Sequence, residues 1–285
     1  MTTPYSNQFR LSITEALSTQ LHAALDRLEP APLTHDNLRA LEAQAETLGL
    51  PSMSGVYQLY RQEPGRAREL TYVGKADQPL PRRLGDHLFK LSGRVGIPIE
   101  EISFKCLFVE EDLSSVSPEK MLIKRHLQTG RIVWNNRGFG INDPGRNRDG
   151  TVNKSNHFDL EYPIDLSLKA SGIKPGRQSL YAVLQAIKSG ISFNFRYQRS
   201  ATFKKRQIDV PTSDMTVDEA FRLVAGHLET GWKISALVGW SIMYKDNDRS
   251  YPSAFRYYRP DGISEQIPKT KQPGEDDAND GEEDV

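Results

Sequence analysis

Two short tyrosine-bearing segments, Gly55-Val56-Tyr57 and Tyr72-Val73-Gly74, are followed by Arg83 and His87, by Glu119 behind Ser117-Pro118, and by Trp134-Asn135-Asn136. The chemistry these residue types could perform together is hydrolysis of a phosphodiester. That reaction needs a water deprotonated in line with phosphorus, positive charge on the phosphoryl oxygens, and help for the departing oxygen. Glu119 offers hard carboxylate oxygens to Mg²⁺ or Mn²⁺, and Mg²⁺ keeps most of its waters and needs only one or two protein carboxylates. Arg83 and His87 stand four apart, so on a helix both reach one phosphate, the arginine as a permanent cation and the histidine as a proton acceptor near neutrality. Arg82 lies about 100° around the same helix and does not share the histidine's face. Tyr57 and Tyr72 carry phenols with an ordinary pKa of about 10, so either acts as a base only where cations stabilise the phenolate or where it positions the water. Arg83, Lys75 and a metal are the candidates for that support.

Each of these residues, taken singly, also has a structural explanation. Strand tyrosines pack in cores, an acid at a helix start is favoured by the helix dipole, and an Arg-His pair can be a solvated face. Chemistry is indicated by their order and by the elements that must position them. Residues 56–60 and 70–73 read as a β-hairpin around the turn Glu63-Pro64-Gly65. Pro81 opens a helix with Leu84, Leu88 and Leu91 on one side and Arg83, His87 and Lys90 on the other, and residues 93–98 end it. Residues 102–109 form a mostly apolar third strand, expected at the centre of a sheet covered on both faces, and a helix starts at Ser117.

Before the hairpin, residues 12–28 and the stretch from the capping Thr34 to Gly49 have helical periodicity, so residues 1–51 are expected to be an N-terminal helical hairpin. With three bases and six acids it is a poor surface for a polyanion. Residues 52–165 are expected to form an α/β (α+β) domain with a small mixed three-stranded sheet flanked by helices. Residues 166–270 read as an α+β extension, helical at 179–187, extended at 192–197, helical at 216–228 after a Ser213-Asp214 cap, and extended at 234–244. Residues 271–285 are an acidic tail expected to be disordered.

Net charge is zero only because residues 273–285 carry seven acids and no base; without them 37 bases face 30 acids, a surplus of +7. From residue 161 to 271 there are 17 bases against 11 acids. That balance is compatible with a polyanionic partner. No stretch approaches the roughly 20 apolar residues of a membrane span and residues 1–10 lack an apolar signal core, so no membrane partner and a cytoplasmic location are expected. Cys106, the only cysteine, reads as a buried structural thiol. The loop 138–150 lacks the Lys-Ser or Lys-Thr ending of a nucleotide-binding loop, which argues against a nucleotide cofactor. Its Arg146, Arg148 and Asn142, with Arg137 just before it, suit base edges or phosphates in a groove. Lys204, Lys205 and Arg206 are either a solvated loop or a phosphate contact.

In this order, Gly55-Val56-Tyr57, Tyr72-Val73-Gly74-Lys75, Arg83, His87, Glu119 and Asn135 resemble the signature of the GIY-YIG nuclease superfamily. The run from Trp134 to Gly145 is similar to a segment of its stand-alone type II restriction endonucleases. Valine replaces isoleucine in both signatures, and residues 128–133 lengthen the stretch before Asn135, which leaves Asn136 as a substitute for it. The resemblance implies that Tyr57 orients or deprotonates the water with His87 as proton acceptor, that Tyr72 and Arg83 hold the phosphate, that Glu119 binds one divalent ion, and that Asn135 fixes the glutamate or phosphate. The expectation is a site-specific endonuclease acting on double-stranded DNA as a homodimer, since one site per chain cuts a palindrome most simply by two-fold symmetry. The alternatives are a repair or homing-type nicking enzyme of the same superfamily, and a catalytically silent DNA-binding protein.

Overall fold

In the computed structural model, which describes residues 13–109, 133–135, 137–140, 149–246 and 248–272, helices and strands are mixed throughout the chain, as the α/β class requires. The chain divides into two units, Met1–Leu88 with Ile99–Asn135 and Phe89–Pro98 with Asn136–Val285. The described residues of 13–51 thus group with the first sheet, and those of 137–165 with the C-terminal part. Among the described residues no helix is long and apolar enough to cross a membrane. The helix expected at Ser117 and, of the tail 271–285, residues 273–285 lie outside the described residues; Lys271 is not disordered but lies in a strand, paired with Lys154.

The first unit begins with α1 (Ile13–Asp26), a two-residue β1 (Ala31–Pro32) and α2 (His35–Thr47). Thr34 caps α2, its side chain accepting from the Asn37 amide. Gly49, at φ +67°, ends it in the left-handed conformation that glycine adopts without strain. There follow β2 (Gly55–Arg61), β3 (Glu69–Ala76), α3 (Leu80–Ser92) and β4 (Ile102–Phe108). The sheet order is β1-β4-β2-β3 with every pair antiparallel. This corrects the expected mixed, three-stranded sheet. Ala31 and Pro32 add a fourth strand opposite Phe104 and Ser103, at an edge where proline's missing N–H does no harm. Both β4 and β2 are interior strands; β2 is buried from Gly55 to Leu59, whereas β4 is only half-buried from Lys105 onward.

Register sorts the side chains onto two faces. Tyr57 lies opposite Gly74 and Cys106, and Leu59 opposite Tyr72 and Phe104, so these six share one face. Val56, Val73 and Leu107 point the other way and pack with Leu25 of α1. Between Leu59 and Tyr60 the pairing shifts, leaving Thr71 as an extra residue whose hydroxyl donates to the Leu59 carbonyl at 3.1 Å. This β-bulge lets Leu70 face α1 while Tyr72 faces the opposite way.

In the second unit β5 (Asn153–Lys154), α4 (Phe158–Glu161), β6 (Gly176–Ser179), α5 (Leu180–Gly190), β7 (Phe195–Tyr197), α6 (Thr202–Lys205), β8 (Gln207–Val210) and α7 (Val217–Ala225) precede β9 (Trp232–Leu237), β10 (Ser241–Lys245), β11 (Ala254–Arg259), β12 (Gly262–Glu265) and β13 (Thr270–Lys271). A five-stranded sheet of order β12-β11-β9-β10-β7 carries α5 and α7 on an apolar core that includes Val183, Ile187, Phe221, Ile234 and Met243. The cap of α7 is Thr216, in a capping box with Glu219, and not the expected Ser213-Asp214. The extended stretch expected at 234–244 is a hairpin, turned where the Leu237 amide donates to the Trp240 carbonyl. Gly239 in that turn has no room for a side chain, because a Cβ there would lie 2.5 Å from Asp159 Oδ2.

That Asp159 belongs to a buried charged cluster. Arg94 Nη2 stands 3.0 Å from Asp159 Oδ1, and Lys90 Nζ 3.6 Å from it. Arg94 also donates to the carbonyls of Tyr162, Val238 and Gly239, and Lys90 donates to those of Phe139 and Gly140. Burial drives the Lys90 amine down to about 8, with Arg94 adding to the effect and Asp159 opposing it. Burial would raise the Asp159 carboxyl, but Lys90, Arg94 and His157 outweigh it and hold the pKa below the ordinary value.

Candidate active site

Tyr57, Tyr72, Arg83 and His87 converge on one face of the first sheet. Tyr57 and His87 are fully buried, with Tyr57 Oη and His87 Nε2 2.7 Å apart. Arg83 Nε donates to the same phenolic oxygen at 3.3 Å. The Tyr72 ring completes the group, its centroid 6.0 Å from that of Tyr57 and 5.4 Å from the His87 ring. Helical spacing in α3 produces this: Leu80, Leu84, Leu88 and Leu91 are buried, and His87 turns inward beside them with Arg83 one turn before it. Arg82, a step around the helix, is exposed.

Two glycines make the space. A Cβ at Gly74 would lie 2.5 Å from both Cζ and Oη of Tyr57 and 2.7 Å from Tyr72 Cε1. A Cβ at Gly55 would lie 2.0 Å from the Leu107 carbonyl oxygen on the neighbouring strand. The first glycine of the paired signature therefore lets two strands close, and the second leaves a place for the Tyr57 ring. Glycine inside a strand was the sequence signal for such close approach.

Electrostatics define the resting state. Burial, and then the neighbouring Tyr72, push the Tyr57 phenol well above its ordinary pKa, while Arg83 pulls more weakly the other way. Tyr57 is therefore a neutral phenol at rest and not a phenolate. Burial works against the charge on Arg83, but the oxygens of Tyr57 and Tyr72 and the carboxylate of Asp86 outweigh it, so its pKa is raised. On the same face Cys106 is half-buried and its thiol is pushed up to about 12 by burial, which makes it an inert structural thiol.

Other candidates are placed differently. Lys75 pairs in register with Val56, which puts it on the sheet face opposite Tyr57, and its ammonium lies 3.0 Å from Asp77. Asn135 engages backbone, its side chain bonded to both polar atoms of Val73, while the Trp134 amide donates to the Thr71 carbonyl. Residues 134 and 135 thereby cap the outer edge of β3 beside Tyr72. Arg137, in the second unit, pairs with Glu161 at 3.2 Å. Arg206 pairs with Glu229 and donates to the His227 carbonyl, whereas Lys204 and Lys205 are exposed. Glu119, Asn136, Asn142, Arg146 and Arg148 lie outside the described residues. Among the described residues no group of three or more His, Cys, Asp and Glu side chains could hold a metal ion. No protein-family model matches the chain, and no curated protein matches its sequence.

Proposed function

We propose that this chain is a divalent-metal-dependent endonuclease of the restriction type, resembling the GIY-YIG superfamily and hydrolysing a short specific site in double-stranded DNA as a cytoplasmic homodimer. The observation that carries the reading is the line from Arg83 Nε through Tyr57 Oη to His87 Nε2, at 3.3 Å and 2.7 Å, over a position that only glycine can occupy. A neutral phenol between a permanent cation and an imidazole can pass a proton in either direction. Tyr57 takes the proton of an attacking water as its own passes to His87 Nε2, and Arg83 stabilises the negative charge on the phenolic oxygen in between. Burial and the neighbouring Tyr72 keep Tyr57 protonated, so passing its own proton to His87 is what allows it to accept one from water near neutral pH.

Arg83 keeps further N–H groups for a phosphoryl oxygen, and the Tyr72 hydroxyl offers another donor on the same face. The metal requirement rests on Glu119, whose carboxylate suits Mg²⁺ or Mn²⁺ in a site completed by waters and substrate phosphate. A divalent ion there supplies charge neutralisation on the phosphoryl and leaving oxygens.

The test is incubation of supercoiled plasmid and varied genomic DNA with the full chain and Mg²⁺, beside Glu119→Ala. Linear products with defined ends that disappear in Glu119→Ala support the restriction reading, and nicked circles alone point to a single-strand nuclease. Absence of any Glu119-dependent cleavage would sink the nuclease reading and leave a DNA-binding protein without catalysis.

A further inference from the structure

Residues 166–208 hold nine Lys and Arg and no Asp or Glu, a run of 43 residues without an acid. Three of the nine are neutralised from outside the run: Lys169 by Asp214, Arg196 by Asp149 and Arg206 by Glu229. The other six, Lys174, Arg177, Lys188, Arg199, Lys204 and Lys205, are exposed, and none forms an ion pair with a described residue. Surfaces that only maintain solubility intersperse both signs. Unpaired charge of one sign carries a cost in self-repulsion, which an anionic partner removes.

The arrangement is more specific than charge alone. On α5 the residues Tyr181, Gln185 and Lys188 stand at i, i+4 and i+7 and so form one row. Lys204 Nζ sits 5.4 Å from the centre of the Tyr181 ring. The Gln185 amide donates to the Tyr197 hydroxyl at the end of β7, and the positive field of Arg199 reaches the same phenol. Both tyrosines are half-buried and pack against the apolar core, which anchors them while part of each side chain meets solvent. Alternation of cations with anchored aromatic and amide groups suits a sugar-phosphate backbone: cations meet phosphates, while tyrosine and amide groups meet sugars and intervening oxygens.

We infer that the surface formed by Tyr181, Gln185, Lys188, Tyr197, Arg199 and Lys204 binds the phosphate backbone of duplex DNA, giving the C-terminal unit a sequence-independent grip on the substrate. The inference rests on the DNA-directed reading above, and it assigns a partner to a part of the chain that the proposed catalytic group does not use.

The test is fluorescence anisotropy of a labelled duplex of about 20 base pairs, titrated with the full chain without divalent metal between about 50 and 200 mM KCl. The triple variant Lys188→Gln, Arg199→Gln, Lys204→Gln should bind at least about tenfold more weakly at the middle of that range, with a salt slope shallower by about 2 to 3. Arg39→Gln, an exposed arginine of α2, should leave affinity and slope unchanged. Thermal melting confirms that the triple variant is folded. Wild-type affinity and slope in the triple variant would overturn the proposal. So would a wild-type chain that ignores duplex DNA, or one whose triple variant loses binding only to phosphatidylserine vesicles. Plasmid cleavage by wild type is scored separately, so loss of duplex binding in the variant supports the surface even if wild type fails to cleave.

Discussion

Asn135 grips the backbone of Val73 at both of its polar atoms, Nδ2 donating to the carbonyl at 2.9 Å and Oδ1 accepting from the amide at 3.0 Å. A side-chain amide here does what the next strand of a sheet would do. Because Val73 lies between Tyr72 and Gly74, this grip fixes the strand that supplies one wall and the floor of the candidate site.

Asn135→Ala should cost about 1–3 kcal/mol in urea unfolding, since the donor and acceptor of Val73 lose their protein partner. Hydrogen exchange should show faster loss of the Val73 amide proton with little change in the core of β2. Unchanged exchange at Val73 would refute the edge-capping role. Asn135→Asp should be no better, because a carboxylate cannot donate to the Val73 carbonyl.

Tyr57→Phe keeps the ring above Gly74 and removes only the oxygen shared by Arg83 and His87. The expected result is a loss of Mg²⁺-dependent cleavage of about 100- to 10,000-fold, with a stability loss of only about 1–2 kcal/mol. Duplex binding, measured without metal, should be nearly unchanged. A variant as active as wild type would remove Tyr57 from the proton path.

Gly74→Ala tests the space under that ring. The added methyl would sit 2.5 Å from Tyr57 Cζ and Oη and 2.7 Å from Tyr72 Cε1, against two buried rings. Stability should fall by roughly 1–3 kcal/mol and cleavage should fall with it. Gly49→Ala is the contrasting control: its Cβ meets nothing within 4 Å, so only left-handed strain of about 1 kcal/mol is expected, and activity should be retained.

Lys90 gives a pH dependence with a definite sign. Its folded pKa is lowered from 10.5 to about 8, so between those values the unfolded chain holds the proton more tightly. Unfolding free energy from this group therefore rises with pH through that window and falls as pH drops toward about 8. The difference in stability between wild type and Lys90→Met, followed by urea unfolding from pH about 8 to 10, should change in wild type's favour as pH rises. A flat difference would show that Lys90 titrates as an ordinary lysine.

Asp159→Ala should be among the most damaging substitutions in the second unit. It leaves Arg94 and Lys90 buried without their carboxylate, and removal of one partner from such a cluster costs about 3–5 kcal/mol. Asp159→Asn keeps the side chain's size but not its charge and should fall between wild type and the alanine variant. A melting temperature within a degree or so of wild type for the alanine variant would argue that the cluster contributes nothing net.

What the sequence made legible was governed by local rules. The hairpin, the helix that presents Arg83 and His87, the exclusion of Arg82 and the Thr34 cap all follow from spacing over a few residues. Lys75 is one step of strand parity away from the site: counted from Tyr72 and Gly74 it lies on the far face. Asn135 could not be understood without knowing that β3 is an edge strand, a fact of sheet order between segments 62 residues apart in sequence. The cluster of Lys90, Arg94 and Asp159 was hidden in the same way. Lys90 shares a helical row with Arg83 and His87, and nothing local signals a carboxylate so far along the chain. The turn at 238–240 also depends on a distant residue, since Gly239 is needed only because Asp159 fills the space above it.

The extra residue at Thr71 has a practical consequence for anyone who wishes to alter this protein. It separates the pairing of Tyr72 to Ala76 with β2 from the pairing of Glu69 and Leu70, so a change in the turn beyond it need not shift the register of Tyr72 to Ala76. Residues 62–68 should therefore accept an inserted peptide or a spectroscopic label without moving Tyr57 against Tyr72. A single insertion between residues 72 and 74 should instead exchange the two faces of the strand and dismantle the group.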